Sequence, residues 1–129
     1  MILGIGTDIC DSRRIKALYE GFGQRFLDRL FSVEEQAYCL SKPQPALSMA
    51  KRFAAKEAAS KALGTGVRGF FYTDIWVDND KLGRPVLCLK DAALNQAHKL
   101  AGEGRECHFH LSLSDEDPYA TAFVVIEGR

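Results

Sequence analysis

The stretch from Met49 to Gly66 constrains this chain more than any other. Ala, Leu, Lys, Glu and Arg dominate it, and these are the strongest helix formers. The composition predicts a long helix over about 46–63. Gly64 can stop it in the left-handed conformation, and Gly66 frees the next turn. On a helical wheel Ala54, Ala55, Ala58, Ala59 and Ala62 share one half. That half carries no bulky side chains, so another backbone can approach it closely. Arg52, Lys56 and Ser60 occupy the other half. Glu57 and Lys61 stand one turn apart. Their plainest reading is an exposed i,i+4 ion pair, worth about 0.2–0.5 kcal/mol.

The N-terminal stretch Ile2–Cys10 is the natural counterpart. It reads as a strand with apolar residues on both faces, as in a strand covered on both sides. Gly4 and Gly6 admit a close neighbour. Asp8 is the exception, because an acid in such a strand is paired, metal-bound or at a solvent gap. Its alternative use is to start a turn or cap the next helix, but Asp11-Ser12 already offers that cap.

Further along, short helices are expected over 13–20 and 24–30. Ser32-Val33-Glu34-Glu35 has the form of a capping box and starts another, ended by Lys42-Pro43-Gln44-Pro45. After Gly69 the period changes. Phe70–Val77 is aromatic and β-branched and reads as a strand. It turns through Asp78-Asn79-Asp80 and Leu82-Gly83-Arg84-Pro85 and returns over Val86–Leu89. Asp91 is placed to cap a helix that Gly102 ends. Cys107, Phe109, Leu111 and Leu113 alternate with His108, His110, Ser112 and Ser114. Asp115-Glu116-Asp117-Pro118 then turns into a last strand, Tyr119–Glu127, making a hairpin. His108 and His110 share a face, but no third ligand follows, so a hydrogen-bonded polar face is expected rather than a metal site. The expected architecture is α+β: an antiparallel sheet with helices packed on one face, formed by one domain over 1–129.

Charge narrows the function. Seventeen Lys and Arg balance seventeen Asp and Glu, which argues against a general nucleic-acid binder. The distribution is uneven. Residues 1–70 hold eleven basic against seven acidic residues, and residues 71–129 hold six against ten. The local excess suits a phosphate ligand or an acidic partner. The four cysteines form no zinc or CxxC pattern. Three sit in apolar segments and read as small buried hydrophobes. The N-terminus lacks the positive region of a secretory signal, and no apolar run is long enough to span a membrane. A reduced cytoplasmic protein is expected.

Two carboxylates far apart in sequence, Asp8 and Glu57, stand out beside basic groups. Two oxygen ligands with open positions suit Mg²⁺, which keeps waters and takes further ligands from substrate phosphate. Lys61 could neutralise phosphate oxygens, and Arg52 with Lys56 could hold another phosphate. The Gly64-Thr65-Gly66 loop either offers backbone N–H groups or only turns the chain. No P-loop occurs, and Gly4-Ile5-Gly6 lacks the rest of a dinucleotide fingerprint. The residues by themselves point to Mg²⁺-dependent phosphoryl chemistry.

Gly4-Ile5-Gly6-Thr7-Asp8-Ile9, followed by Arg14-Ile15, resembles the start of the holo-[acyl-carrier-protein] synthases. Arg52-Phe53-Ala54-Ala55-Lys56-Glu57-Ala58 and Lys61-Ala62-Leu63-Gly64-Thr65-Gly66 resemble that family's second motif, which is the more specific of the two. Gly83-Arg84-Pro85 resembles its G-K-P element, and the likeness covers the whole chain. The resemblance implies a small bacterial-type phosphopantetheinyl transferase. Such enzymes move 4′-phosphopantetheine from coenzyme A to a serine of acyl carrier protein and release adenosine 3′,5′-bisphosphate. They need Mg²⁺ and act as homotrimers with sites between subunits. By this resemblance Asp8 and Glu57 match the metal positions and Lys61 the lysine beside the pyrophosphate. Arg52, Gly64, Thr65 and Gly66 match positions near coenzyme A, and Arg14 a basic position facing the carrier. The proton of the attacking serine would go to Glu57 directly, or to Glu57 or Asp8 through a metal-bound water.

One position departs from the pattern. Many relatives carry His where this chain has Asp115, so no role for that His transfers. Asp115 reads as a turn residue or as a hydrogen-bond acceptor at the site. Two other readings compete with the transferase: a non-catalytic module that binds coenzyme A and carrier protein, and a metal-dependent phosphohydrolase. Intact Asp8, Glu57 and Lys61 argue against the module.

Overall fold

Helix α4 (Pro45–Ala62) lies across a three-stranded antiparallel sheet, and its alanine half makes the contact. The computed structural model describes residues 1–129. The sheet order is β1–β5–β4, with β1 at Ile2–Asp11, β5 at Tyr119–Gly128 and β4 at Cys107–Glu116. Ala54, Ala55, Ala58, Ala59 and Ala62 are all buried. The approach is closest at β1. A Cβ on Gly4 would stand 1.9 Å from the carbonyl oxygen of Ala62, and one on Gly6 1.9 Å from that of Ala58. Two glycines therefore meet two turns of an alanine helix, backbone against backbone. The sequence expectation of close approach on both sides of this contact holds.

β1 pairs along its length with β5, with Asp8 opposite Ala122 and Cys10 opposite Ala120. β5 in turn pairs with β4, where Leu113 faces Ala122 and Asp115 faces Ala120. The expectation that β1 is covered on both sides fails. It is an edge strand with one face on α4 and the other open: Ile5 and Ile9 are 60% and 64% exposed. Phe123 of β5 continues that apolar outer face and is exposed.

The remaining elements frame this unit. Helix α1 (Ser12–Phe22) starts at Asp11, whose carboxylate accepts the Arg13 N–H at 2.9 Å. Helices α2 (Gln24–Leu30) and α3 (Val33–Leu40) follow. The Ser32–Glu35 capping box forms as expected. β2 (Ile75–Asn79) and β3 (Pro85–Leu89) form a hairpin, and β3 runs beside β4. Helix α5 (Asp91–Ala101) ends at Gly102, but Lys90 takes the N-cap position expected of Asp91. The strand expected over 70–77 begins only at Ile75. Asp74 draws the preceding residues into a short 3₁₀ turn, Tyr72–Asp74, by accepting the Phe71 N–H.

The half of α4 opposite the alanines is enclosed too, which corrects the expectation that Lys56 could hold a phosphate. Arg52, Lys56 and Ser60 are buried. Lys56 Nζ donates to Glu35 Oε1 at 2.8 Å, to the Tyr72 carbonyl at 3.1 Å and to the Ile75 carbonyl. The other Glu35 oxygen accepts the Val77 N–H at 2.9 Å. Burial pushes the Lys56 ammonium pKa down, and the Glu35 charge works against it. This pair ties α3, α4 and β2 together and leaves Lys56 no freedom to hold a phosphate. Twenty-five buried residues, from every α-helix and from every strand but β4, form one contiguous core, and Cys107, Phe109, Leu111 and Leu113 of β4 pack against it partly buried. No helix is long and apolar enough to cross a membrane.

Candidate active site

The last two turns of α4 bring three of the expected residues to one place. Lys61 Nζ lies 3.1 Å from Asp8 Oδ1 and 2.9 Å from the Thr7 carbonyl, to which it donates. The Asp8 side chain is mostly enclosed, 18% exposed, whereas that of Lys61 is half open to solvent. Asp8 is thus paired, one of the alternatives for an acid in this strand. It faces α4 because the strand alternation that places Gly4 and Gly6 inward also turns Asp8 inward.

Glu57 does not pair with Lys61, contrary to the i,i+4 expectation. Its Oε1 accepts the Tyr72 phenol at 2.6 Å, and its Oε2 takes no hydrogen bond from the protein. Burial and that hydrogen bond push the Tyr72 phenol up to about 12. The Tyr72 ring packs on Phe53, with centroids 5.7 Å apart. The Arg14 guanidinium sits over Phe53 as well, 5.7 Å from its centroid. Arg14 is therefore at the edge of this cluster. Cys10, buried two residues beyond Asp8 on β1, has its thiol pushed up to about 11 by burial; Arg14 pulls it down, and Asp8, Asp11 and Glu57 push it further up. The two carboxylates and Arg14 are thus within electrostatic reach of one buried sulfur.

The loop after Lys61 is spent largely on ending the helix. Gly64 and Gly66 have φ of 83° and 61°. Their N–H groups donate back to the carbonyls of Lys61 and Ser60 at 3.0 and 3.2 Å. The Thr65 hydroxyl bonds the Gly66 carbonyl at 2.8 Å. Of the two readings of this loop, turning the chain accounts for both glycines.

Arg52 lies elsewhere. It is buried, with its guanidinium 3.9 Å above the Tyr38 ring and Nη2 donating to Asn79 Oδ1 at 3.0 Å. Its Nε has no partner. It lines a cavity of ≈ 540 Å³ with Tyr38, Trp76, Asn79 and Lys90, and none of Asp8, Glu57 or Lys61 borders that space. Asp115 is not in the turn. It sits within the β4 ladder, and its carboxylate pairs with Lys51 Nζ at 3.1 Å. His108 and His110 hydrogen-bond to Glu106 and Glu127, which makes the polar face expected of them.

Sequence reasoning missed Tyr72 and Phe53. The one signal was a hydroxyl at the end of the aromatic run Phe70-Phe71-Tyr72, where ring packing alone would be served by a third Phe.

The groups gathered here are of the types that suit a phosphate ester. The cluster offers two carboxylates with unpaired oxygens, a half-exposed ammonium and an arginine at the rim. Comparison with known proteins gives the family. The family model for the 4′-phosphopantetheinyl transferase superfamily matches residues 4–124. A holo-[acyl-carrier-protein] synthase of Phenylobacterium zucineum is 48% identical over 129 residues, covering 99% of this chain and 94% of that one. The crystal structure of the Neisseria meningitidis synthase superposes with a TM-score of 0.84 at 42% identity, over 98% of this chain and 99% of that one. The Bacillus anthracis synthase, solved in complex with coenzyme A (3′,5′-ADP), gives 0.80 at 33% identity, over 100% and 99%. Matched over almost its whole length in this way, the chain belongs to the 4′-phosphopantetheinyl transferase superfamily, among the holo-[acyl-carrier-protein] synthases.

Proposed function

We propose that this protein transfers 4′-phosphopantetheine from coenzyme A to a serine of an apo acyl carrier protein. The serine oxygen bonds to the phosphorus next to pantetheine. The bond from that phosphorus to the bridging oxygen breaks, and adenosine 3′,5′-bisphosphate leaves. The observation that carries the reading is the Lys61–Asp8 contact beside Glu57, at the end of the helix bearing the family's motif. Lys61 is placed to neutralise charge on the departing phosphate. The proton of the serine goes to the carboxylate pair, Glu57 or Asp8, directly or through water.

Asp8 and Glu57 would hold Mg²⁺. Their donor set fits: both offer hard oxygens, and Glu57 Oε2 has no protein partner. When bound, Mg²⁺ supplies charge neutralisation at the pyrophosphate. Coenzyme A is the substrate, a reading supported by the ligand of the B. anthracis relative. Gly64, Thr65 and Gly66 adjoin Lys61 and would border it. Arg52, enclosed apart from the cluster, fits a site completed between subunits of a homotrimer. The exposed apolar face of Ile5, Ile9 and Phe123 supports such an assembly. Arg14, at the rim, would meet the acidic carrier. The family match over 4–124 supports reading 1–129 as one transferase domain. Four free cysteines suit a reducing cytoplasm.

Mass spectrometry of apo acyl carrier protein incubated with this protein, coenzyme A and Mg²⁺ tests the reading. A phosphopantetheine mass gain that needs Mg²⁺ and disappears in Glu57→Gln is expected. Binding of both partners without any gain would replace the reading with a non-catalytic module. Light scattering that gave a monomer would sink the trimer.

A further inference from the structure

Glu57 and Lys61 sit in the order and spacing that favours an i,i+4 ion pair, with the acid N-terminal to the base. In this fold neither takes the other. Lys61 turns to Asp8 and to the Thr7 carbonyl. Glu57 turns to Tyr72. A glutamate has three rotatable side-chain bonds, so something must hold the carboxylate away from the ammonium one turn on. The contact at 2.6 Å is in the range of a charge-assisted O–H···O⁻ hydrogen bond.

Tyr72 is itself fixed on three sides. Its ring packs on Phe53. Its carbonyl accepts the buried Lys56 ammonium at 3.1 Å, which Glu35 anchors in turn. Its backbone lies in the 3₁₀ turn that Asp74 closes by accepting the Phe71 N–H, and Phe71 beside it points to solvent. Ring packing needs no hydroxyl, so the hydroxyl is the part of Tyr72 addressed to Glu57.

We propose that Tyr72 is a positioning residue: its phenol commits one oxygen of Glu57, keeps Glu57 from closing on Lys61, and so leaves Glu57 Oε2 and the Lys61 ammonium separately available to substrate. The phenol touches no reacting atom and acts only through Glu57. This inference rests on the transferase reading above.

Tyr72→Phe removes the hydroxyl and keeps the ring, so the variant melts with the wild type. Three measurements test it: carrier labelling rates, calorimetric coenzyme A binding, and crystal structures of wild type and variant. The expected result is a kcat lower by roughly 10-fold to 10²-fold, the scale of a misplaced catalytic group. Coenzyme A affinity stays within about 2-fold, since the loss is in positioning and not in ground-state binding. In the variant crystal the Glu57 carboxylate rotates to within salt-bridge distance of Lys61 Nζ. Wild-type kcat in Tyr72→Phe, or a Glu57 that stays where it is, overturns the inference. A wild-type protein that labels no carrier overturns the transferase reading and the inference with it, which is a different result from an active wild type matched by its variant.

Discussion

Lys61 reaches across from α4 to β1 and holds Asp8 at 3.1 Å, so the helix and strand that meet backbone against backbone also share the cluster's ion pair. The glycine–alanine contact sets the distance between helix and strand, and the side chains of Asp8 and Lys61 span it. Lys61 is half exposed, so the pair contributes little to folding, about 1 kcal/mol at most. Its value is electrostatic and at the site. Lys61→Met is expected to lower kcat for carrier labelling by roughly 10²-fold and to lower the melting temperature by no more than about 4 °C. A variant that melts much lower while keeping its rate would assign Lys61 to folding.

The Lys56–Glu35 pair is the opposite case, because neither side chain reaches water. Lys56→Met leaves Glu35 charged inside the core, which costs about 3–5 kcal/mol. It also strips the Tyr72 and Ile75 carbonyls of their donor. Adding Glu35→Gln removes the stranded charge, so the double variant is expected to be more stable than Lys56→Met alone. Urea unfolding of the four proteins in the cycle reads this directly. Additive losses would mean that the two side chains do not act as a unit.

These two pairs show what the sequence could and could not disclose. The alanine half of α4 and the glycines of β1 were legible, because small residues at those spacings have one physical use, close approach. Asp8, Glu57 and Lys61 were legible as residue types for phosphate chemistry. Their partners were not. Local spacing favoured Glu57 with Lys61, and only the strand laid beside the helix, and Tyr72 arriving from a distant turn, change the allegiance of both. Lys56 reads as a group free to hold a phosphate because its partner Glu35 is twenty-one positions away and already accounted for by its capping box. Tyr72 was hidden in an aromatic run that reads as strand. The Asp74 side chain turns that run into a 3₁₀ turn, and propensity does not weigh a single cap against four β-forming residues.

The helix–strand contact makes a sharp prediction about glycine. Gly6→Ala would place a methyl 1.9 Å from the Ala58 carbonyl oxygen, and backbone on both sides cannot yield cheaply. Overpacking of this kind costs about 1–3 kcal/mol and occasionally more. A Cβ on Gly21, in α1, would meet nothing within 4 Å. Gly21→Ala is expected to stabilise by roughly 0.5–1 kcal/mol through helix propensity. Chemical denaturation of both variants checks the pair. Equal tolerance at the two positions would refute the close packing of β1 on α4.

The end of the β4–β5 ladder carries a pH-dependent element. Glu127 of β5 accepts a hydrogen bond from His110 Nε2 at 3.0 Å and pairs with Arg129 Nη2 at 3.1 Å. The His110 hydrogen bond first, and Arg129 second, hold its carboxyl down at about 2, against an ordinary value of 4.5. Between those values the unfolded chain binds more protons at this position than the folded one, so stability rises with pH through the window. The contribution is fully present above the ordinary value and is lost as the pH falls toward the folded one. Glu127→Gln removes the titration. The urea midpoint of the wild type is expected to exceed that of Glu127→Gln near neutral pH, with the gap narrowing steadily in acid. A gap of constant size down to the acid limit would mean that the His110 and Arg129 contacts do not hold the carboxylate in solution.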